Sequence, residues 1–132
     1  MTVHYYAFET STKPDDIAWL VESWERSGIS GKFIGRGETW QGFDWKLRYL
    51  SDFFNTVDIP DDEIIVLTDA RDVLYFMEPD EPTDFETILS QSGFKMMFGA
   101  EAYYGDPPFR SESLHHYCSL NSGVCFGYVS KF

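Results

Sequence analysis

Positive charge is scarce in this sequence: ten Lys and Arg stand against 22 Asp and Glu, for a formal net charge of −12. Neutralising a phosphate backbone takes clustered Lys and Arg, so the scattered few here argue against nucleic acid as a partner. A phosphorylated small molecule stays open, but an acidic protein then needs a divalent cation between its carboxylates and the ligand. Cysteine is equally sparse. Cys118 and Cys125 cannot make a disulfide framework and lack the Cys-x-x-Cys spacing of a metal site. Two buried thiols or a single bridge are the readings left. No apolar run reaches transmembrane length and no N-terminal stretch resembles a signal peptide, so the expectation is no membrane segment and a cytoplasmic setting. Repeats and low-complexity tracts are missing too. Residues 1–132 therefore read as one domain, long enough to bury a core and short for a two-substrate enzyme.

Aromatic residues are plentiful, with 12 Phe, 8 Tyr and 4 Trp. Most of that area belongs in a core, and the remainder can line a cleft where a base or a sugar ring stacks. Val3 to Phe8 is rich in β-formers and predicts a first strand. Pro14, with Asp15 and Asp16 behind it, suits a helix start, and Ile17, Leu20, Val21 and Trp24 mark one apolar helical face. Lys32 to Ile34 predicts a short strand, and residues 35–42 form a glycine-punctuated loop. A second helix is expected from Phe43 to Asn55, with Leu47, Leu50, Phe53 and Phe54 inward. Glu63 to Leu67 is the clearest strand, an apolar run suited to a buried parallel position. A short helix near Phe85 to Leu89, a strand from Phe94 to Ala100, an irregular stretch from Tyr103 to Leu120 and an apolar segment from Val124 to Val129 complete the chain. This alternation predicts an α/β fold, with a mostly parallel central sheet and helices on both faces. Ligands in such sheets bind at the carboxyl ends of the strands, at a topological switch.

Asp69 and Asp72 stand at the carboxyl end of the clearest strand. Two carboxylates there can present oxygens to Mg²⁺ or Mn²⁺, which keep positions open for water or substrate phosphates. Strand-end aspartates also cap loops, and a bare Asp-x-x-Asp is common. Trp40 can cover the core edge or border a pocket. Lys46 reads, from the residues alone, as a solvated helix charge. Glu101, at a strand end facing the same crevice, can bind sugar hydroxyls or cap a loop. His115 and His116 are adjacent loop residues without metal spacing.

Four stretches in order resemble the glycosyltransferase domain of the lysyl hydroxylase and procollagen glycosyltransferase type, including its viral and microbial relatives. Gly35-Arg36-Gly37-Glu38-Thr39-Trp40-Gln41-Gly42 is similar to that family's Gly-x-Gly-Glu-x-Trp-x-Gly loop, and Lys46 to the lysine that follows it on a helix. Ile64 to Val73 resembles the metal-binding strand with its Asp-x-x-Asp-Val. Phe98-Gly99-Ala100-Glu101 and Leu120-Asn121-Ser122-Gly123 resemble the Phe-x-Ala-Glu and Asn-Ser-Gly elements.

The resemblance implies a GT-A (nucleotide-diphospho-sugar transferase) fold that binds a UDP-sugar donor through Mn²⁺ or Mg²⁺ and transfers the sugar to a sugar or hydroxylated protein acceptor. It implies Asp69 and Asp72 as metal ligands and places Phe8, Glu9 and Thr10 towards the nucleotide. Trp40 and Lys46 then border the donor pocket, and Asn121, Ser122 and Gly123 lie near sugar or acceptor. Asp69, Asp72, Glu101 and Asn121 make the expected catalytic set. The sequence departs from the pattern at Tyr103-Tyr104-Gly105-Asp106-Pro107-Pro108, where the family has Trp-Pro-Asp. It also reaches Phe132 without the family's Asp-Asp-Gln segment or later histidine, so the expected domain is C-terminally short: a minimal variant, a fragment or a degenerate copy. A non-catalytic nucleotide-sugar-binding module and a metal-dependent phosphohydrolase using Asp69 as nucleophile are the alternative functions.

Overall fold

The computed structural model of the chain describes residues 2–102 and 117–132, with backbone alone for residues 100–102 and 117–122. Strand β1 (Val3–Phe8) lies between β2 (Lys32–Ile34) and β3 (Ile64–Asp69), parallel to both. Beyond β3 come β5 (Tyr117–Tyr128) and then β4 (Met96–Ala102), giving the order β2-β1-β3-β5-β4. β5 runs antiparallel to both of its neighbours, so the sheet is mixed rather than mostly parallel. An apolar run specifies burial on both faces but not strand direction, and β5 is inserted against the direction of the other four.

Side-chain alternation along β1 divides the core. Tyr6 and Phe8 point to one face, where Leu50 and Phe54 of α2 (Phe43–Thr56) pack with Ile34, Ile65 and Leu67. Ala7 points to the other, against Leu20 and Trp24 of α1 (Ala18–Arg26). Helix α3 (Phe85–Ser92) shares that second face, its Phe85 ring packing 6.3 Å from Tyr5 and 4.8 Å from Phe126. Helices therefore cover both faces, as expected. The helix predicted from Pro14 is divided: Pro14–Asp16 form a 3-10 turn, and Ile17 leaves helical geometry with φ −122° before α1 begins. The predicted apolar face is nonetheless the one turned to the sheet, with Leu20 and Trp24 buried and Ile17 and Val21 packed beside them.

Helix α2 forms where expected, with Leu50, Phe53 and Phe54 inward as read. Leu47, also read as inward, is 60% exposed, while Trp45, Lys46 and Tyr49 take the inner side. Trp45 and Tyr49 dock on the Phe8 ring at 6.0 and 6.1 Å, so aromatic contacts rather than Leu47 fill the first turns of that face. The last strand is longer than its apolar run. β5 starts at Tyr117, so residues 117–120 and Asn121-Ser122-Gly123 belong to a strand rather than to an irregular stretch. Pairing with β4 supplies the hydrogen bonds that these polar residues do not announce, with register shifts at Phe98/Gly99 and Glu101/Ala102. His115 and His116, and the departure at 103–108, lie outside the described residues.

Candidate functional site

The chain passes from β1 to β2 on one side and then returns to place β3 on the other side of β1. That reversal is a topological switch point, the place where sheets of this kind bind ligands, at the carboxyl ends of β1 and β3, where Phe8 stands opposite Asp69 in one ladder and Ile34 in the other. The glycine loop closes the β2 side. Thr10, half-buried, accepts the Gly37 N–H on its carbonyl at 2.8 Å, and the Glu9 N–H bonds the Ile34 carbonyl at 3.0 Å. Gly35 has φ 89°, and a Cβ there would stand 2.9 Å from the Phe8 ring, so only glycine fits at this crossing.

Four residues singled out in the sequence converge here from separate elements. The Lys46 ammonium, on α2, donates to Asp69 Oδ1 at 2.6 Å and lies 5.2 Å from the Phe8 ring centroid. Trp40, half-exposed, packs edge-on against Phe8 at 6.5 Å and against Trp45 at 6.0 Å. Lys46 is thus not a solvated helix charge: its side chain is only 12% exposed, while that of Asp69 is 43% exposed. The β3–β5 ladder ends with Thr68 opposite Val124, so Gly123 and Asp69 are the next residues along the two strands. Asn121 pairs with Gly99 and Glu101 with Ser119 through their backbones, which brings both to the β4–β5 ladder. The side chains of Glu101, Asn121 and Ser122 are outside the described set.

Asp72 is exposed, in the bend after β3. Among the described residues no three His, Cys, Asp or Glu side chains cluster closely enough to enclose a metal ion. Two carboxylates at a strand end with open positions suit a cation that keeps water and substrate phosphates, Mg²⁺ or Mn²⁺, and do not suit a closed structural cage.

A second ion pair escaped the sequence reading. Glu9, immediately after β1, has a side chain only 7% exposed and accepts Arg71 Nε at 2.8 Å and Nη2 at 3.0 Å. The Ser11 N–H also bonds Glu9 Oε1, at 2.9 Å, and Arg71 Nη2 reaches Asp16 at 3.7 Å. The Arg71 hydrogen bonds hold the Glu9 carboxyl below the usual range, and burial opposes them. The one available signal was an arginine between the two aspartates of a strand-end motif. On β5, Cys125 is a buried thiol, pushed up to about 12 by burial. Two surface hollows, of about 310 and 570 Å³, lie against α1 and α3, and neither includes Phe8, Lys46 or Asp69. Among the described residues no helix is long and apolar enough to cross a membrane. No protein-family profile matches the chain, and no curated protein matches it at a significant level.

Proposed function

We propose that the chain is a GT-A-type domain that binds a UDP-sugar with a divalent cation and acts as a metal-dependent glycosyltransferase. One observation carries the reading. Trp40, Lys46 and Asp69, from two of the family-like stretches, meet Phe8, at the end of the first strand, at the switch point between β1 and β3. Coincidental motifs on distant parts of the chain have no reason to converge on one crevice.

On this reading Asp69 and Asp72 would hold Mn²⁺ or Mg²⁺, and the cation would supply Lewis-acid stabilisation to a leaving diphosphate. Trp40, with its face half open, stacks on the base or the sugar, and its edge-on contact with Phe8 fixes the ring. Lys46 contributes a positive charge to the diphosphate side of the crevice, and Asn121 to Gly123 approach it from β5. Thr10 and the glycine loop bring main chain close to the nucleotide.

The test is a mass-spectrometric assay with UDP-glucose and UDP-galactose in Mn²⁺, with hydroxylysine peptide and simple sugars as acceptors. Wild type is expected to release UDP, with Asp69→Asn reducing the rate at least about 100-fold, the scale of losing a main electrostatic contact. Mn²⁺-dependent UDP binding without any release would make the domain a binding module. Release of inorganic phosphate from simple phosphomonoesters, with no UDP binding, would favour the phosphohydrolase.

A further inference from the structure

The Lys46–Asp69 pair raises a conflict that the proposed metal site must resolve. Asp69 Oδ1 already accepts a full positive charge at 2.6 Å, from a side chain that is otherwise nearly enclosed. A divalent cation coordinated by the same carboxylate would sit about 2.1 Å from an oxygen. It would then face the ammonium across a few ångströms, and like charges at that range repel strongly. The two cations therefore compete for the one carboxylate, and each weakens the other's hold on it.

We propose that Lys46 is a built-in counter-cation, which neutralises Asp69 in the metal-free protein and leaves it for the nucleotide's phosphate oxygens when a divalent cation binds. The inference rests on the metal reading above and adds the order of events at the same carboxylate. The geometry supplies both positions of the exchange. In the first, Lys46 lies on Asp69. For the second, the lysine stem is flexible over four carbons, and the ammonium at its end lies 5.2 Å from the centroid of the Phe8 ring. Rotation about that stem turns the ammonium outward. An ammonium released beside an incoming diphosphate has an immediate anionic partner.

Two consequences follow. Metal alone binds the protein weakly, because it must displace Lys46 without giving the ammonium a new partner. Metal and UDP bind with positive cooperativity, since UDP takes up the displaced charge, and linkage makes the enhancement equal in both directions. A lysine that merely added to a nucleotide pocket would not oppose the metal.

The experiment titrates Mn²⁺ alone, by calorimetry, into wild type, Lys46→Met, Lys46→Gln, Arg48→Met and the pair Asp69→Asn and Asp69→Asn/Lys46→Met. Lys46→Met is expected to bind Mn²⁺ about tenfold more tightly than wild type, within the usual range of coupling between sites. Its affinity for UDP in saturating Mn²⁺ is expected to fall. Lys46→Gln removes the charge while keeping a hydrogen-bond donor for Asp69, and its Mn²⁺ affinity should also rise. Arg48, exposed on the same helix, controls for the general loss of a positive charge and should change little. In the Asp69→Asn background Lys46→Met should bring no gain. The melting temperature of each variant confirms folding, and that of Lys46→Met should rise more with Mn²⁺ than wild type does. If wild type binds Mn²⁺ and neither Lys46 variant binds it more tightly, or Arg48→Met tightens it equally, the exchange is overturned while the metal site stands. If no variant binds Mn²⁺, with or without UDP, the metal reading falls and takes the exchange with it.

Discussion

Two ion pairs stand at the same edge of the sheet and bury opposite partners. In Lys46–Asp69 the ammonium is enclosed and the carboxylate half open; in Arg71–Glu9 the carboxylate is enclosed and the guanidinium open. The difference separates two tasks. Glu9 takes both hydrogen bonds from Arg71 and another from the Ser11 N–H, so its oxygens are used up in anchoring the loop after β1 to the loop after β3. Asp69 has one oxygen bound to a flexible chain, and its side chain is 43% exposed. A carboxylate that closes a fold and a carboxylate that can be handed to a ligand are distinguished here by which half of the pair is accessible.

The comparison breaks most completely at the residue that supports both pairs. Phe8 is buried, contacts Trp40, Trp45 and Tyr49, carries Lys46 beside its ring, and immediately precedes Glu9. Phe8→Ala is expected to cost about 3–5 kcal/mol of stability in urea unfolding, the range for deleting a core aromatic. A loss under about 1 kcal/mol would mean that the neighbouring rings refill the space and that the shared support is not Phe8.

Glu9→Gln attacks only the anchoring pair. Because the folded Glu9 carboxyl is held below its ordinary value, its contribution to stability is present at neutral pH. It is lost as the pH falls below the ordinary glutamate value of about 4.3 and through the lower folded one. Glu9→Gln should therefore melt below wild type at pH 7, and the gap should narrow steadily on acidification below about pH 4.3. A gap that stays constant from pH 7 to pH 3 would show that Arg71 does not hold the charged form.

The smallest effect is expected next to the functional pair. Leu47 adjoins Lys46 in sequence but is exposed, so Leu47→Ala should change stability by no more than about 0.5 kcal/mol. A loss of 2 kcal/mol or so, the range of a buried leucine, would mean that α2 turns its leucine inward as the sequence suggested, and Lys46 away from Asp69.

Much of the fold was legible because local signals were strong. The bounds of β1 and β2 follow from β-formers between turn residues, and α2 begins at Phe43 after the glycine loop. The face of α1 followed from its 3-4-3 spacing. What failed depended on contacts between distant residues. The direction and length of β5 come from pairing with β3 and β4, which polar Ser119, Asn121 and Ser122 conceal. The outward turn of Leu47 goes with aromatic docking of Trp45 and Tyr49 on Phe8, which a 3.6-residue period alone does not single out. At the site, Asp69, Lys46 and Trp40 were readable as motif members and Phe8 as the end of a strand, and their convergence was not. No pattern in the sequence joins Glu9 to Arg71, 62 residues later, and that pair emerged only once β1 and β3 lay side by side.

The central claim is that Asp69 offers its open side to a divalent cation carrying a nucleotide diphosphate. Calorimetric titration of UDP into the protein, once in Mn²⁺ and once in chelator, measures that directly. The account predicts at least about tenfold tighter binding in Mn²⁺, or 1.4 kcal/mol, and loss of the difference in Asp69→Asn. Equal affinity in Mn²⁺ and in chelator for the wild-type protein would contradict it.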